Sequence, residues 1–330
     1  MVDSRNYKLT NHPALRAPLL EKEGNRPEQA LQEIKSRHSL NYDFKKKTRM
    51  NITIIGLGLI GGSMALDFKH MGHRVLGVDA NPFHQREAMD LGLVEQCLPL
   101  DQAVAQSDVV VVAVPVGATP AVIKEALQHL PANGVIFDVG STKKSICKAL
   151  EGHPRRERFV AAHPIAGTEY SGPSAAHSGL FYRKLGIICD REKSAPDAVD
   201  CVEDLFVQLG MELKRIDSDE HDKHLAYVSH ISHLSSFTLG LTVLDIEKDE
   251  RSIFDMAGSG FASTVRLAKS SPEMWAPIML ENSEHLLEAL DSYIDNLNKF
   301  KERILNRDEE GLKELMREAN RIRGVLEKRS

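Results

Sequence analysis

Apolar residues come in short runs that alternate with longer stretches of helical spacing from Asn51 onward. The runs read NITIIG, RVLGVD, DVVVVAVP at 108–115, GVIFDVG at 134–140, FVAAHP at 159–164 and KLGIIC at 184–189. Strands with so few polar positions are typical of a sheet that is buried on both faces, as in a parallel sheet flanked by helices. The pattern therefore predicts an α/β fold with a doubly wound parallel sheet for this part of the chain.

The pattern changes near Asp217. Beyond it the strand pattern stops, and 219–245, 272–306 and 308–328 show helical spacing with charged faces and few breakers. We therefore expect an α/β domain over 50–216 and an all-helical domain over 217–330. Residues 1–49 show no sustained period, which predicts a disordered extension and makes Met50 the expected functional start.

Composition and charge narrow the class of function. The 330 residues are 42% hydrophobic and 27% charged, with a formal net charge of -5, which is typical of a globular protein with a sizeable core. A basic run is confined to 45–49, so a nucleic-acid partner has little support. No apolar run is long enough to cross a membrane, the N-terminus lacks the apolar core of a secretory signal, and the four cysteines show no metal or redox spacing. We expect a cytoplasmic protein.

A glycine motif, GLGLIG, lies between the first strand and the first helix. Its first glycine permits a tight turn, its second allows a pyrophosphate to approach the backbone, and its third allows close packing of helix on sheet. The helix N-terminus then offers free N–H groups to the phosphates. Asp79 ends the second strand, where its carboxylate can bind ribose hydroxyls and would repel a 2′-phosphate, which favours NAD over NADP. A structural turn with an incidental Asp79 is the alternative. The expected cofactor contacts here are Gly56, Gly58, Leu59, Ile60, Gly61 and Asp79.

Later strands end in residues that should lie at the same edge of the sheet. Ligands of open parallel sheets gather at the carboxyl ends of the strands. Val114 and Pro115 end one strand, and we expect them to contact the cofactor. Ser141 and Thr142 follow the next strand, and one of the two hydroxyls is expected to cap the following helix. Ser141, which is nearer the strand end, is the candidate to face a substrate.

His163 ends a further apolar run, directly before Pro164. It could simply begin a loop, because the residue before a proline favours extended geometry. The functional alternative is proton transfer, because the unperturbed pKa of histidine lies close to neutral pH. Its place at the same sheet edge favours the second interpretation and directs the imidazole toward the expected nicotinamide site.

Six ordered motifs resemble those of the prephenate dehydrogenase family, from about Met50 to the end of the chain. They are IIGLGLIGGS at 54–63, DVGSTK at 138–143, HPIAGTEYSG at 163–172, HDKHLAYVSHISH at 221–233, GSGFASTVRLAKSSPEMW at 258–275 and LEN at 280–282. The resemblance implies a Rossmann-type NAD-binding domain followed by a helical domain that pairs two subunits. It also implies the oxidation of prephenate to 4-hydroxyphenylpyruvate and CO2 with NAD(P)+ in tyrosine biosynthesis. Some relatives prefer arogenate.

The resemblance also implies roles for particular residues. His163 is similar to the histidine that binds and deprotonates the ring hydroxyl, helped by Ser141, and Arg266 to the arginine that binds a substrate carboxylate. Residues similar to those lining the substrate pocket are Thr168, Glu169, His230 and His233, with the motif around Ser259 and Trp275 approaching it.

Three departures from the family pattern leave selectivity for the substrate side chain open. Ile231 and Ser232 stand where Leu-Pro is frequent, and Tyr170 stands where Lys is frequent. The residues ahead of Arg266 are Ser-Thr-Val, where Asp and Thr are common. None of these changes removes a group that the mechanism needs.

Four histidines at 221–233 raise the alternative of a metal site. On one straight helix His221 and His230 would lie on opposite faces, as would His224 and His233, so that only His230 and His233 share a face. We therefore expect no metal, and expect His221 and His224 to be solvated or satisfied in the core.

Other functions remain open at this point. An arogenate or dual-specificity cyclohexadienyl dehydrogenase is the nearest alternative, because the substrates differ only by amino or keto in the side chain. A β-hydroxyacid dehydrogenase would use a lysine on the first long helix of the second domain, where this chain offers Lys223 alone. A non-catalytic NAD-sensing protein would be free to lose His163 or Arg266, and both are present.

Overall fold

The computed structural model describes residues 49–248 and 252–327. The predicted extension, residues 1–49, lies outside the described residues apart from Arg49, so that prediction is untested. Within these ranges the chain forms an α/β region followed by a helical region, and the element type changes between Ile216 and Ser218, next to the predicted boundary.

The described residues contain one sheet of eight strands in the order β3-β2-β1-β4-β5-β6-β7-β8. The strands are β1 Asn51–Ile55, β2 Arg74–Val78, β3 Gln96–Cys97, β4 Val109–Val112, β5 Val135–Asp138, β6 Phe159–Pro164, β7 Leu185–Cys189 and β8 Glu212–Ile216. From β3 to β6 neighbouring strands are parallel. The strand order reverses between β1 and β4, which opens a crevice at their carboxyl ends, where Rossmann-type folds bind dinucleotides.

Helices cover both faces of this sheet: α1 Leu59–His70, α2 Pro82–Asp90, α3 Leu100–Val104, α4 Thr119–His129, α5 Lys144–Leu150 and α6 Pro196–Gln208. The four valines of β4 show why the strands lack polar positions. Val109 and Val111 pack into one apolar cluster, while Val110 and Val112 pack into the cluster on the opposite face. Successive side chains of a strand point to opposite faces, so a strand covered on both sides is apolar throughout. The predicted doubly wound fold is confirmed.

Two strands and one strand direction differ from the sequence prediction. β3 has two residues, too few for a recognisable pattern. β8 is an edge strand with the sequence ELKRI, and its exposed side chains carry charge. β7 runs antiparallel to β6, so the sheet is mixed rather than wholly parallel. Apolar content reports burial but not direction, which is why the sequence did not predict this reversal.

The helical region contains α7 Ser218–Leu225, a π-helical segment Ala226–His230, α8 Ile231–Glu247, α9 Ser259–Thr264, α10 Pro272–Glu281, α11 Ser283–Leu305, α12 Glu309–Ala319 and α13 Arg323–Leu326. The stretch 272–306, which shows helical spacing in the sequence, forms two helices that are divided at Asn282, whose backbone leaves helical geometry. None of the helices in the described ranges is long and apolar enough to cross a bilayer.

Candidate active site

The glycine turn lies at the carboxyl end of β1. Gly56 has φ +97°, and a Cβ there would lie 2.4 Å from the carbonyl oxygen of Ala113. A Cβ on Gly61 would lie 2.0 Å from the carbonyl oxygen of Gly56, whereas a Cβ on Gly58 would meet nothing within 4 Å. Two glycines are therefore required by the fold itself, and the third keeps one face of the turn open.

The open face adjoins the start of α1. Gly58 is the N-cap residue and provides no side-chain cap for the helix. The first N–H groups of an α-helix have no intrahelical partner, so Leu59, Ile60 and Gly61 can offer theirs to phosphate oxygens. This geometry fits the pyrophosphate of a dinucleotide.

Asp79 directly follows β2 and is held beside the same turn. Its Oδ2 accepts a hydrogen bond from the N–H of Leu57 at 2.8 Å, and its Oδ1 accepts one from the N–H of Asn81 at 2.8 Å. His84 Nδ1 lies 3.6 Å from Oδ1. The carboxylate therefore has a fixed position at the strand end where an adenosine ribose would lie.

The other predicted cofactor and substrate residues follow β4 and β5. Val114 is partly buried and Pro115 is exposed. Ala113 extends the pairing of β4 with β1 through a 2.7 Å bond to Ile55, so both residues lie across the crevice from the glycine turn. Ser141 is partly buried just after β5. These positions share one edge of the sheet, as the sequence predicts.

The expected cap of α5 is wrong. Neither Ser141 nor Thr142 caps this helix, and the Thr142 hydroxyl is buried without a partner among the described residues. Asp222 caps the helix instead, because its carboxylate oxygens accept hydrogen bonds from the N–H of Lys143 at 2.7 Å and of Lys144 at 2.9 Å. A cap from a distant helix leaves no local sequence signal.

His163 lies on β6 and is almost fully buried. Its Nδ1 is 2.9 Å from Nε2 of His221, and Nδ1 of His221 is 2.7 Å from Oδ1 of Asp222. His221 and Asp222 are also buried. His221 is thus satisfied in the core, one of the two expected alternatives, and it also bonds directly to the candidate base, which the sequence did not indicate. His224 is half exposed, in agreement with a solvated residue.

The straight-helix geometry used for these histidines is also wrong. The π-helical segment separates His221 from His233, and its i→i+5 bonds widen the turn and change the direction of the residues that follow. The electrostatic influence of both His221 and His230 reaches His163. A short π-helical segment of this kind is frequent at functional sites, and its sequence gives no clear signal.

Burial determines the charge of the candidate base. It lowers the pKa of His163 well below the usual value of histidine, and His221, Lys143 and His230 lower it further. Burial also lowers the pKa of His221, although the hydrogen bond to Asp222 opposes that shift. Lys143 is fully buried and bonds to the carboxylate of Asp138. His163 is therefore neutral at neutral pH, as a base must be.

A contact with Asn282 determines which ring nitrogen of His230 carries the proton. The side-chain nitrogen of Asn282 donates to the carbonyl oxygen of Asp222 at 2.7 Å and also lies 3.0 Å from Nδ1 of His230. Because that nitrogen is a donor, Nδ1 accepts and neutral His230 carries its proton on Nε2. This Nε2 is buried without a partner among the described residues, and burial lowers the pKa of His230 to about 4.

Trp275 forms one wall beside these histidines. Its ring stacks on His233 with centroids 3.5 Å apart and meets His230 edge to face at 5.9 Å. The Nδ1 of His233 lies 3.1 Å from the carbonyl oxygen of Ser229, to which it donates. Trp275, which belongs to the motif expected to approach the pocket, therefore holds the ring of a predicted pocket residue.

Arg266 and Glu169 form an ion pair, and the charge of Arg266 also acts on His233. Nη1 of Arg266 lies 3.3 Å from Oε2 of Glu169, and the arginine side chain is 53% exposed. Thr168 accepts a hydrogen bond from the N–H of Tyr170 at 3.2 Å, which shapes the loop that carries Glu169. An open groove of about 590 Å³ is lined by Glu169, Tyr170, Ser171, Ser174 and Ala175. Arg266 is thus accessible to an anionic ligand.

No group of three or more histidine, cysteine, aspartate or glutamate side chains within 49–248 and 252–327 could hold a metal ion. The Rossmann-type strand order, the open glycine turn and the neutral imidazole at the sheet edge together define a dinucleotide-dependent dehydrogenase. Comparison with known proteins gives the family.

Two family profiles match the chain: "Prephenate dehydrogenase, nucleotide-binding domain" over residues 64–214 and "Prephenate dehydrogenase, dimerization domain" over residues 217–318. Prephenate dehydrogenase of Bacillus subtilis is 31% identical over 266 residues, 79% of this chain and 72% of the relative. Cyclohexadienyl dehydrogenase of Zymomonas mobilis is 32% identical over 280 residues, 84% of this chain and 96% of the relative.

The fold comparison agrees. A crystal structure of prephenate dehydrogenase from A. aeolicus, in complex with hydroxyphenyl propionate and NAD+, superposes with a TM-score of 0.78 at 30% identity, covering 86% of this chain and all of that one. The chain belongs to the prephenate dehydrogenase family and is an NAD-dependent oxidoreductase.

Proposed function

We propose that the protein is a prephenate dehydrogenase, which converts prephenate and NAD+ into 4-hydroxyphenylpyruvate, CO2 and NADH in tyrosine biosynthesis. The observation that carries the proposal is the neutral, buried imidazole of His163. It lies near the carboxyl end of β6, on the same side of the sheet as the glycine turn at the carboxyl end of β1. The family membership and the similarity to an enzyme with NAD+ and hydroxyphenyl propionate bound support it.

Bound NAD+ supplies the hydride acceptor, held by the residues of the glycine turn, Asp79, Val114 and Pro115. His163, assisted by Ser141, binds the ring hydroxyl of prephenate and takes its proton as hydride leaves the same carbon. The ring carboxylate is then lost as CO2, its bonding electrons make the ring aromatic, and the protonated His163 returns its proton to the new phenolic oxygen. A positioned base of this kind contributes about 10²- to 10⁴-fold to the rate.

Arg266 supplies the positive charge that a dianionic substrate requires. Its exposed guanidinium now pairs with Glu169, and a planar guanidinium can bind a substrate carboxylate through two parallel hydrogen bonds. Thr168, Glu169, His230 and His233 complete the proposed pocket. Because Nε2 of His230 carries a proton and has no partner among the described residues, it can donate to a substrate oxygen.

The test is NADH formation with prephenate and with arogenate as alternative substrates, each with and without tyrosine. We expect a higher kcat/KM for prephenate and a loss of kcat of at least about a hundredfold in His163→Asn, with NAD+ affinity nearly unchanged. Equal or faster turnover of arogenate would make the protein an arogenate or cyclohexadienyl dehydrogenase instead. Full turnover by His163→Asn would show that another group is the base.

We also propose a cytoplasmic homodimer. The apolar side chains of Leu287, Ile294, Leu297 and Ile304 are exposed along α11 at spacings of seven, three and seven, a pattern that fits the face of a paired helix. The match to a dimerization domain covers this helix. All four cysteines are free thiols, as expected in a reducing compartment. Sedimentation equilibrium that gives the mass of a single chain would exclude the dimer.

A further inference from the structure

The contacts around Asp222 determine where the protons of two histidines lie. The Asp222 carboxylate receives the backbone N–H groups of Lys143 and Lys144, which can only donate, so it acts as an acceptor. Its 2.7 Å contact with Nδ1 of His221 therefore requires a proton on that nitrogen. A neutral imidazole carries one proton, so Nε2 of His221 is an acceptor.

The same reasoning continues to His163. Its Nδ1 lies 2.9 Å from Nε2 of His221 and must therefore carry the proton. Burial lowers the pKa of both rings, which keeps both neutral at neutral pH. His163 then has a bare Nε2, and among the described residues this nitrogen has no hydrogen-bond partner.

We propose that His221 and Asp222 are positioning residues that keep Nε2 of His163 free of a proton, so that this nitrogen accepts the proton of the substrate hydroxyl. The proposal rests on the proposed function, because it concerns how the base of that reaction is held. His163 gains a proton on Nε2 while its own Nδ1 proton stays bonded to His221. The ring of His221 is fixed in turn by Asp222, so the positive charge on His163 is stabilised without a second proton transfer.

The chain of hydrogen bonds also joins two regions of the fold. His163 belongs to β6 of the sheet, whereas His221 and Asp222 belong to α7 of the helical region. Asp222 also caps α5 and, through its carbonyl oxygen, orients Asn282 beside His230. The contacts that dock α7 on the sheet are thus the contacts that orient the base, so the active tautomer forms only when the two regions are packed together.

If His221 and Asp222 had only a structural role, they would satisfy buried polar groups but would not determine which nitrogen of His163 carries the proton. The first measurement is therefore made on the unmodified full-length protein without ligands. Two-bond ¹H–¹⁵N correlation spectra of protein labelled with ¹⁵N-histidine distinguish the two neutral tautomers, and the spectrum of His163→Asn identifies the His163 signal. We expect the proton of His163 on Nδ1. A proton on Nε2 would overturn the proposal.

The second measurement is the kinetics of His221→Phe, which removes the acceptor while filling the space. We expect kcat to fall at least about tenfold while the KM for NAD+ stays unchanged, because an incorrect tautomer of a catalytic histidine greatly reduces turnover. His221→Gln can place an amide oxygen near the former Nε2 and should recover part of the loss. His224→Phe, a half-exposed position on the same helix, is the matched control and should retain full kcat.

Folding and function are checked separately. Fluorescence of Trp275, the single tryptophan, together with melting temperature shows whether each variant is folded. If His221→Phe is unstable, the wild-type spectrum and His221→Gln still decide the question. A folded His221→Phe enzyme with unchanged kcat contradicts the positioning role alone, provided that His163→Asn is inactive. An active His163→Asn enzyme contradicts the proposed base, whatever the tautomer of the wild-type protein.

Discussion

At the scale of single residues, the candidate base depends on groups that are distant in sequence. Its position at the end of an apolar run is visible in the sequence, and so is its value for proton transfer. Its hydrogen-bond partner, His221, lies 58 residues away, and the buried cation of Lys143 belongs to a third segment. No local pattern could predict these contacts, although HDKH at 221–224 lies inside a motif that resembles the family.

Asp79 allows a test of cofactor choice. Its carboxylate, held by two backbone N–H groups, would lie close to a 2′-phosphate, and two unit charges about 4 Å apart interact by about 4 kcal/mol at an effective dielectric of about 20. We expect Asp79→Asn to reduce the preference for NAD+ over NADP+, measured as the ratio of kcat/KM values, by at least about tenfold. His84→Gln, which leaves the charge in place, should keep the ratio. An unchanged ratio in Asp79→Asn would exclude the residue from cofactor selection.

At the scale of elements, the sequence predicted those elements whose pattern reflects burial. The apolar strands β1, β2 and β4–β7 follow from their continuous apolar runs, because each strand is covered on both faces. The polar edge strand β8 and the reversed direction of β7 depend on neighbours and were missed. The π-helical segment before α8 was missed for a similar reason, since the same residues continue a helical pattern. This missed segment is why the expected separation of His221 from His230 does not hold, since both act electrostatically on His163. The expected shared face of His230 and His233 is met, because both rings contact Trp275.

The glycine turn separates a folding requirement from a binding requirement. An added Cβ at Gly58 would meet nothing within 4 Å, and its φ is negative, so Gly58→Ala should keep the melting temperature. The methyl group would occupy the face proposed for the pyrophosphate, and we expect a rise of at least about tenfold in the Kd for NAD+, measured by titration calorimetry. Gly61→Ala is the matched contrast.

At Gly61 a Cβ would lie 2.0 Å from the carbonyl oxygen of Gly56, so this variant should lower the melting temperature whether or not NAD+ is present. Equal effects of the two substitutions on stability would contradict the division of roles. Unchanged NAD+ affinity in a folded Gly58→Ala protein would place the pyrophosphate elsewhere.

At the scale of the whole molecule, the site links stability to pH. Burial lowers the pKa of His163, His221, His230 and His233 in the folded protein. In the unfolded chain a histidine titrates near pH 6.5, so below that pH the unfolded state binds more protons than the folded state. The free energy of unfolding must then decrease as the pH falls, by up to about 1.4 kcal/mol per pH unit for each such histidine. The stability that depends on these neutral histidines is therefore fully present above about pH 6.5 and is progressively lost below it.

We therefore expect the melting temperature to fall between pH 7 and pH 5, and the fall to be smaller in His221→Gln than in the wild type. Asp67 and Asp138 act in the opposite direction, because burial raises the pKa of their carboxyl groups, so the difference between variants is more informative than the wild-type slope. His224→Gln removes a half-exposed histidine from the same helix and should reproduce the wild-type slope. If His221→Gln and His224→Gln lose stability equally with falling pH, then His221 is not held neutral in the folded protein. The proton positions derived for His163 would lose their basis in the same experiment, because they require both rings to be neutral.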